Sequence, residues 1–84
     1  MKLIFCTECE DVIRLTSAHR TCLCGKSTGY YTDTLYAEIF GPCIPLGFHN
    51  RSFVEALRLQ PETGEGIRFT AFVIPKYVPT IKRI

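Results

Sequence analysis

The chain has 84 residues, 46% hydrophobic and 21% charged, with a net charge of +2. That length holds one domain, expected over residues 1–84, with a marginal core of the kind usually helped by metal, disulfides or association. The composition is too apolar for a disordered segment, and the charge falls short of the dense basic face of a duplex-binding domain. The charge is also uneven. Residues 1–40 carry four Lys/Arg against five Asp/Glu, whereas residues 41–84 carry six against three.

The opening Met1-Lys2-Leu3-Ile4-Phe5-Cys6 runs at once into Thr7, Glu8 and Glu10. Its apolar stretch is too short for a signal-peptide core, and no later run approaches a membrane span. The expected compartment is the cytoplasm, where thiols stay reduced. Five cysteines follow from here. Cys6-Thr7-Glu8-Cys9 and Cys22-Leu23-Cys24-Gly25 stand twelve residues apart, and Cys43 lies alone between Pro42 and Ile44.

Two close pairs at this separation supply the four soft ligands of a tetrahedral zinc site. A short spacer lets both sulfurs of a pair face one ion, and Gly25 suits the turn after the second pair because glycine tolerates positive φ. Between the pairs, Val12-Ile13-Arg14-Leu15 is β-prone, Ser17-Ala18 forms a turn, and His19-Arg20-Thr21 runs back as a hairpin. Other readings compete with zinc. A disulfide framework sits poorly with an odd cysteine count, and a redox Cys-x-x-Cys would open a helix, which Cys6 does not. His19 is an alternative fourth ligand. A closed four-thiolate set leaves no position for water, so the one zinc ion is expected to be structural and to supply folding energy. Cys43 reads as a small buried hydrophobe; as a nucleophile it would have only His49 near it in sequence.

This arrangement resembles a zinc ribbon over roughly residues 3–27, departing from the commonest pattern in the one-residue spacer of Cys22-Leu23-Cys24. More broadly, Cys6, Cys9, Cys22, Cys24 and Gly25, with Gly41–Ser52 as a weaker match, are similar to small bacterial and phage proteins with an N-terminal Cys-x-x-Cys…Cys-x-Cys-Gly ribbon. That resemblance implies a cytoplasmic zinc protein with a ribbon packed on a small antiparallel sheet. It implies no particular activity.

Beyond the ribbon part (residues 1–28), residues 29–84 are expected to form a small sheet and one helix, making the chain α+β. Gly29 to Phe40 reads as a hairpin turning at Asp33-Thr34. Gly41-Pro42-Cys43-Ile44-Pro45-Leu46-Gly47 is too rich in proline and glycine for a central strand and is expected as an ordered, apolar loop. Asn50 is the expected N-cap of a helix whose apolar stripe, Phe53, Val54, Ala56, Leu57 and Leu59, should pack on the sheet before Pro61 ends it. Ile67 to Ile74 reads as the strongest strand, central and covered on both sides. Val78 to Ile84 is at best an edge strand.

Three functions follow as expectations. The first is a non-catalytic interaction module that binds a partner protein or its own copy. The second is an anion site for a nucleotide-like ligand at the helix start, with Gly47, His49, Asn50, Arg51 and Ser52 as candidate residues and Arg68 as a further cation. It is not a P-loop, whose glycine spacing and lysine are missing. The third is single-stranded nucleic-acid binding by Arg51, Arg58, Arg68, Lys76, Lys82 and Arg83 with Tyr30, Tyr31 and Tyr36 as stacking groups. An enzyme is not expected, since no Ser-His-Asp set, carboxylate pair or open metal site can be read from the chain.

Overall fold

In the computed structural model, which describes Met1–Ile84, β1 (Lys2–Cys6) turns through the first cysteine pair into β2 (Val12–Arg14). The two strands pair antiparallel, with Ile4 opposite Ile13. β3 (Arg20–Thr21) turns through the second pair into β4 (Thr28–Tyr31), and β4 pairs antiparallel with β5 (Ala37–Phe40). β6 (Cys43–Phe48), α1 (Asn50–Arg58), β7 (Ala71–Val73) and β8 (Ile81–Arg83) complete the chain.

The strands form two four-stranded sheets, in the orders β2-β1-β6-β7 and β3-β4-β5-β8. All pairings are antiparallel except β5 with β8, which is parallel. With one helix, this is the α+β class read from the sequence. Strands from residues 1–28 and strands from residues 29–84 share both sheets. The segment between the cysteine pairs is not one hairpin: β2 belongs to the first sheet and β3 to the second, so each cysteine pair tips its own hairpin.

The core lies between the sheets. Ile4, Ile13 and Cys43 reach it from the first, Ala37 and Ile39 from the second, and Leu15 from the connection, with Tyr31 and Ile81 packed against them. Gly29 makes room for this contact, since a Cβ there would stand 2.7 Å from Leu15 Cδ2. Only 13 of the 84 residues are buried, which leaves the hydrophobic term small, as the length requires.

Three local expectations are corrected. Cys43–Phe48 is an inner strand and not a loop. In an antiparallel ladder successive residues direct their backbone groups to alternate sides. Phe48 N–H donates to Met1 on the β1 side and Ile74 N–H donates to Pro45 on the β7 side. The N–H that Pro45 lacks therefore faces Ile74, where β7 has already ended, so the ladder loses little.

Residues 67–74 do not form a central strand. Only Ala71–Val73 pairs, at the edge of the first sheet, and all three residues are exposed. The apolar run that looked doubly covered is half uncovered because β6 took the inner place.

Finally, α1 buries none of its residues. Its one substantial packing is aromatic, with Phe53 about 5 Å, centroid to centroid, from both Phe48 (5.3 Å) and Phe69 (4.8 Å). Leu57 and Leu59 stay 60% and 68% exposed. The N-cap is His49, whose Nδ1 accepts from the Ser52 amide at 3.3 Å, and not Asn50. Asn50 instead accepts from the N-terminal ammonium of Met1 at 2.8 Å.

Candidate metal centre

The first knuckle is built by short backbone bonds. The Cys6 amide donates to Asp11, the Glu10 amide returns to the Cys6 carbonyl at 2.8 Å, and Glu10 takes a left-handed φ of 61° to close the turn. In the second, the Gly25 amide donates to the Cys22 carbonyl at 3.0 Å, and Gly25 has the positive φ, 80°, expected of a glycine there. The Leu23 amide donates to the Asp11 carboxylate at 3.1 Å, which ties one knuckle to the other.

These turns bring the sulfurs of Cys6, Cys9, Cys22 and Cys24 within 4.8 Å of one another. Cys6 Sγ lies 3.7 Å from Cys24 Sγ, and Cys22 Sγ lies 3.5 Å from Cys24 Sγ. Four thiolates at about 2.3 Å from a tetrahedral ion stand roughly 3.8 Å apart, so the spacing fits a metal held by all four. No disulfide links them. The one-residue spacer of Cys22-Leu23-Cys24 does not prevent convergence; it leaves Leu23 pointing outward at the tip, 86% exposed.

The surroundings favour thiolate. The Ser27 amide donates to Cys22 Sγ at 3.3 Å. Burial pushes the Cys22 thiol up, but that amide and the neighbouring sulfurs outweigh it and bring it down to about 6. Cys6 is lowered by the Ser27 hydroxyl first and by the Cys9 backbone next. Cys24 goes the other way: the Lys26 backbone pulls it down, yet burial of its sulfur and the neighbouring sulfurs push it up to about 12. As a residue Cys24 is exposed, but its sulfur faces the cluster. Sulfurs this close share their protons as one system, and a cation among them would replace those protons. The Ser27 hydroxyl, fully buried, has no hydrogen-bond partner of ordinary geometry. It lies near the sulfurs of Cys6 and Cys43, and a thiolate at Cys6 would be its stronger acceptor.

The fifth cysteine stands outside the cluster. Cys43 pairs across the sheet with Cys6, lies in the core, and donates to the Phe40 carbonyl at 3.4 Å. Burial raises its thiol, ahead of the opposing pull of Arg83. His49 sits just past the far end of β6, about 20 Å away at strand rise. His19 is not among the converging residues; it stacks on Tyr30 with ring centroids 3.8 Å apart.

At the helix start the fold does gather Gly47, His49, Asn50 and Ser52, but most of their polar groups are engaged. His49 and Asn50 act as described above, and the Ser52 hydroxyl donates to the His49 carbonyl and accepts from the Thr70 amide. Gly47 is buried in β6 against the Phe72 ring. Arg51 extends to Glu55 at 3.5 Å, and Arg68 lies exposed beyond the helix. Of the six basic residues of the second half, Lys76, Lys82 and Arg83 line one depression with Tyr77. Arg83 spends its guanidinium on the carbonyls of Gly41 and Cys43, at 2.8 and 2.6 Å. Tyr30 donates to Glu38, and the Tyr31 hydroxyl accepts from the Lys2 amide.

Asp11, Ser27 and Arg83 are the supporting residues that sequence reading missed. Ser27 had a legible signal in its place three residues after Cys24; the other two act through pairings that spacing does not reveal. The chain matches no family model, and no curated protein or solved structure is significantly similar to it. No helix is long and apolar enough to cross a membrane.

Proposed function

We propose that this protein is a non-catalytic binding module of the cytoplasm, held together by one structural zinc ion on Cys6, Cys9, Cys22 and Cys24 in a ribbon-like pair of knuckles. The observation that carries this reading is the convergence of four sulfurs from the tips of two hairpins that belong to different sheets. An ion there fastens one sheet to the other, which is a structural task. Zinc suits it because four thiolates form its preferred closed, tetrahedral set, and such a set leaves no position for water. Thiolate ligands need cysteines kept reduced, as they are in a reducing compartment.

Binding is the activity that best accords with the remaining surface. Val12, Ile44 and Val73 are exposed apolar residues on one face of the first sheet, Phe72 is exposed on the other, and Leu57 and Leu59 are exposed at the end of the helix. Where such residues gather into a patch they ordinarily mark an interaction site. The partner is another protein or a second copy of the chain. The helix-start anion site gains no comparable support, since most of its polar groups are bonded within the fold; of the nucleic-acid face, Tyr30, Tyr31 and Arg83 are turned to partners within the fold.

Native mass spectrometry tests the metal: one zinc per chain, lost together with folded structure on chelation, is expected. A folded protein with no metal, or with a metal whose removal leaves the melting curve unchanged, refutes it.

A further inference from the structure

We infer that the free edge of β7 binds a second copy of this chain, joining two first sheets into one continuous eight-stranded sheet. This rests on the interaction-module reading and names its partner.

The backbone of β7 carries the argument. Gly47 pairs with Phe72, and the flanking Thr70 carbonyl and Ile74 amide also bond toward β6. By alternation, the N–H and C=O groups of Ala71 and Val73 point away from β6. Both residues are exposed, and no hydrogen bond outside the regular ladders involves them. The edge thus offers two donors and two acceptors. Edge strands are usually blunted by shortness, charge, proline or cover; β7 is short, at three residues, but contains no charge and no proline.

An antiparallel copy related by a two-fold axis through Phe72 satisfies all four groups. Ala71 of one chain then faces Val73 of the other, twice over, which makes four hydrogen bonds. At the axis Phe72 of one chain stands opposite Phe72 of the other as a non-hydrogen-bonded pair, each ring lying over Gly47 of its own chain. Shifting the register one way sets Ala71 opposite Pro75, which has no N–H. Such a two-fold contact uses one patch on both molecules and closes after two.

The total surface leaves room for such a contact. A 9.5 kDa monomer of ordinary compactness exposes about 5,000 Å², whereas this chain exposes 6015 Å². The extra surface includes β7 and the exposed stretch that precedes it from Leu57. The radius of gyration, 14.1 Å, likewise exceeds the roughly 12 Å of a compact chain of this length.

Sedimentation equilibrium on the zinc-loaded full chain, with Ala71→Pro and Val73→Lys, tests the inference. Wild type should weigh twice 9.5 kDa, and each variant should associate about tenfold or more weakly while keeping its metal. Hydrogen exchange at the Ala71 and Val73 amides should slow as wild type dimerises. Val73 is 67% exposed, so Val73→Lys decides alone if Ala71→Pro fails to fold. A wild type that stays monomeric at every concentration overturns the inference, as does a dimer indifferent to Val73→Lys or one in which both amides exchange freely. Metal content in the same samples judges the zinc reading separately, so a zinc-bound monomer ends this inference and leaves that one standing.

Discussion

The sulfurs of Cys6 and Cys24 lie 3.7 Å apart although their hairpins belong to different sheets. An ion between them would therefore tie one sheet to the other. Cys24→Ser should abolish stoichiometric zinc binding and lower the melting temperature by more than about 10 °C, given that each kcal/mol is worth about 4–8 °C at this size. Metal analysis and calorimetry on the purified variant check this. Full metal occupancy in Cys24→Ser would remove it from the ligand set.

Ser27 should tune the site without being a ligand. Its buried hydroxyl has no hydrogen-bond partner and lies near the sulfurs of Cys6 and Cys43. Groups that hydrogen-bond to metal ligands commonly change affinity by about 10–100-fold. Ser27→Ala should thus weaken zinc binding about tenfold in a competition titration while the fold persists. Unchanged affinity with raised stability would mark the hydroxyl as a stranded polar atom.

Gly41 is held by the second knuckle. Its φ is 87°, and a Cβ would overlap the carbonyl oxygen of Lys26. Because the obstacle is backbone, Gly41→Ala should cost about 3 kcal/mol in denaturant unfolding of the zinc form. A loss within experimental error would show that this junction yields.

Asp33 gives the turn between β4 and β5 its pH dependence. Amides of Tyr36 and Leu35 donate to its carboxylate, and these bonds, in that order, hold its pKa below 3.8. The folded state therefore binds this proton less readily than the unfolded chain. The contribution is complete above the unfolded value and disappears as pH falls through the folded one. An NMR titration of the Asp33 side chain should give a midpoint below that of an unfolded reference peptide. Coincident midpoints would rule the bonds out in solution.

Arg83 should matter despite lying next to the last residue. Its fork reaches the carbonyls of Gly41 and Cys43 and so ties β8 to the start of β6. Arg83→Ala should cost about 1–3 kcal/mol, and Arg83→Lys should recover only part, because an ammonium cannot span both carbonyls in the same way. Complete rescue by lysine would reduce the contact to simple charge.

The cysteine knuckles were legible because knuckle formation is local: two residues or one between cysteines, followed by Gly25, specify the turn whatever the rest of the chain does. The hairpin from Gly29 to Phe40 was legible for the same reason, with Asp33 capping its own turn. The β6 segment was misread because Pro42, Pro45 and Gly47 are judged locally as strand breakers. Their cost depends on which neighbour lacks a bond, and Pro45 aims its missing donor at a ladder that has already stopped. The helix cap was displaced by one residue because Asn50 found a partner 49 residues away in Met1.

By itself, then, the sequence determined the α+β class, the two cysteine knuckles and the hairpin of residues 29–40, the last two of which rest on contacts between near neighbours in the chain. Only the tertiary structure decided which strand is inner and which is edge, and that the sulfurs join two sheets. It also decided that β7 and the stripe of α1 remain open. Those outcomes depend on pairings between residues far apart in the chain, such as Cys6 with Cys43, Ile4 with Pro45 and Lys2 with Gly47. Strand register and partner choice are collective properties of the assembled sheets, and local propensity does not encode them.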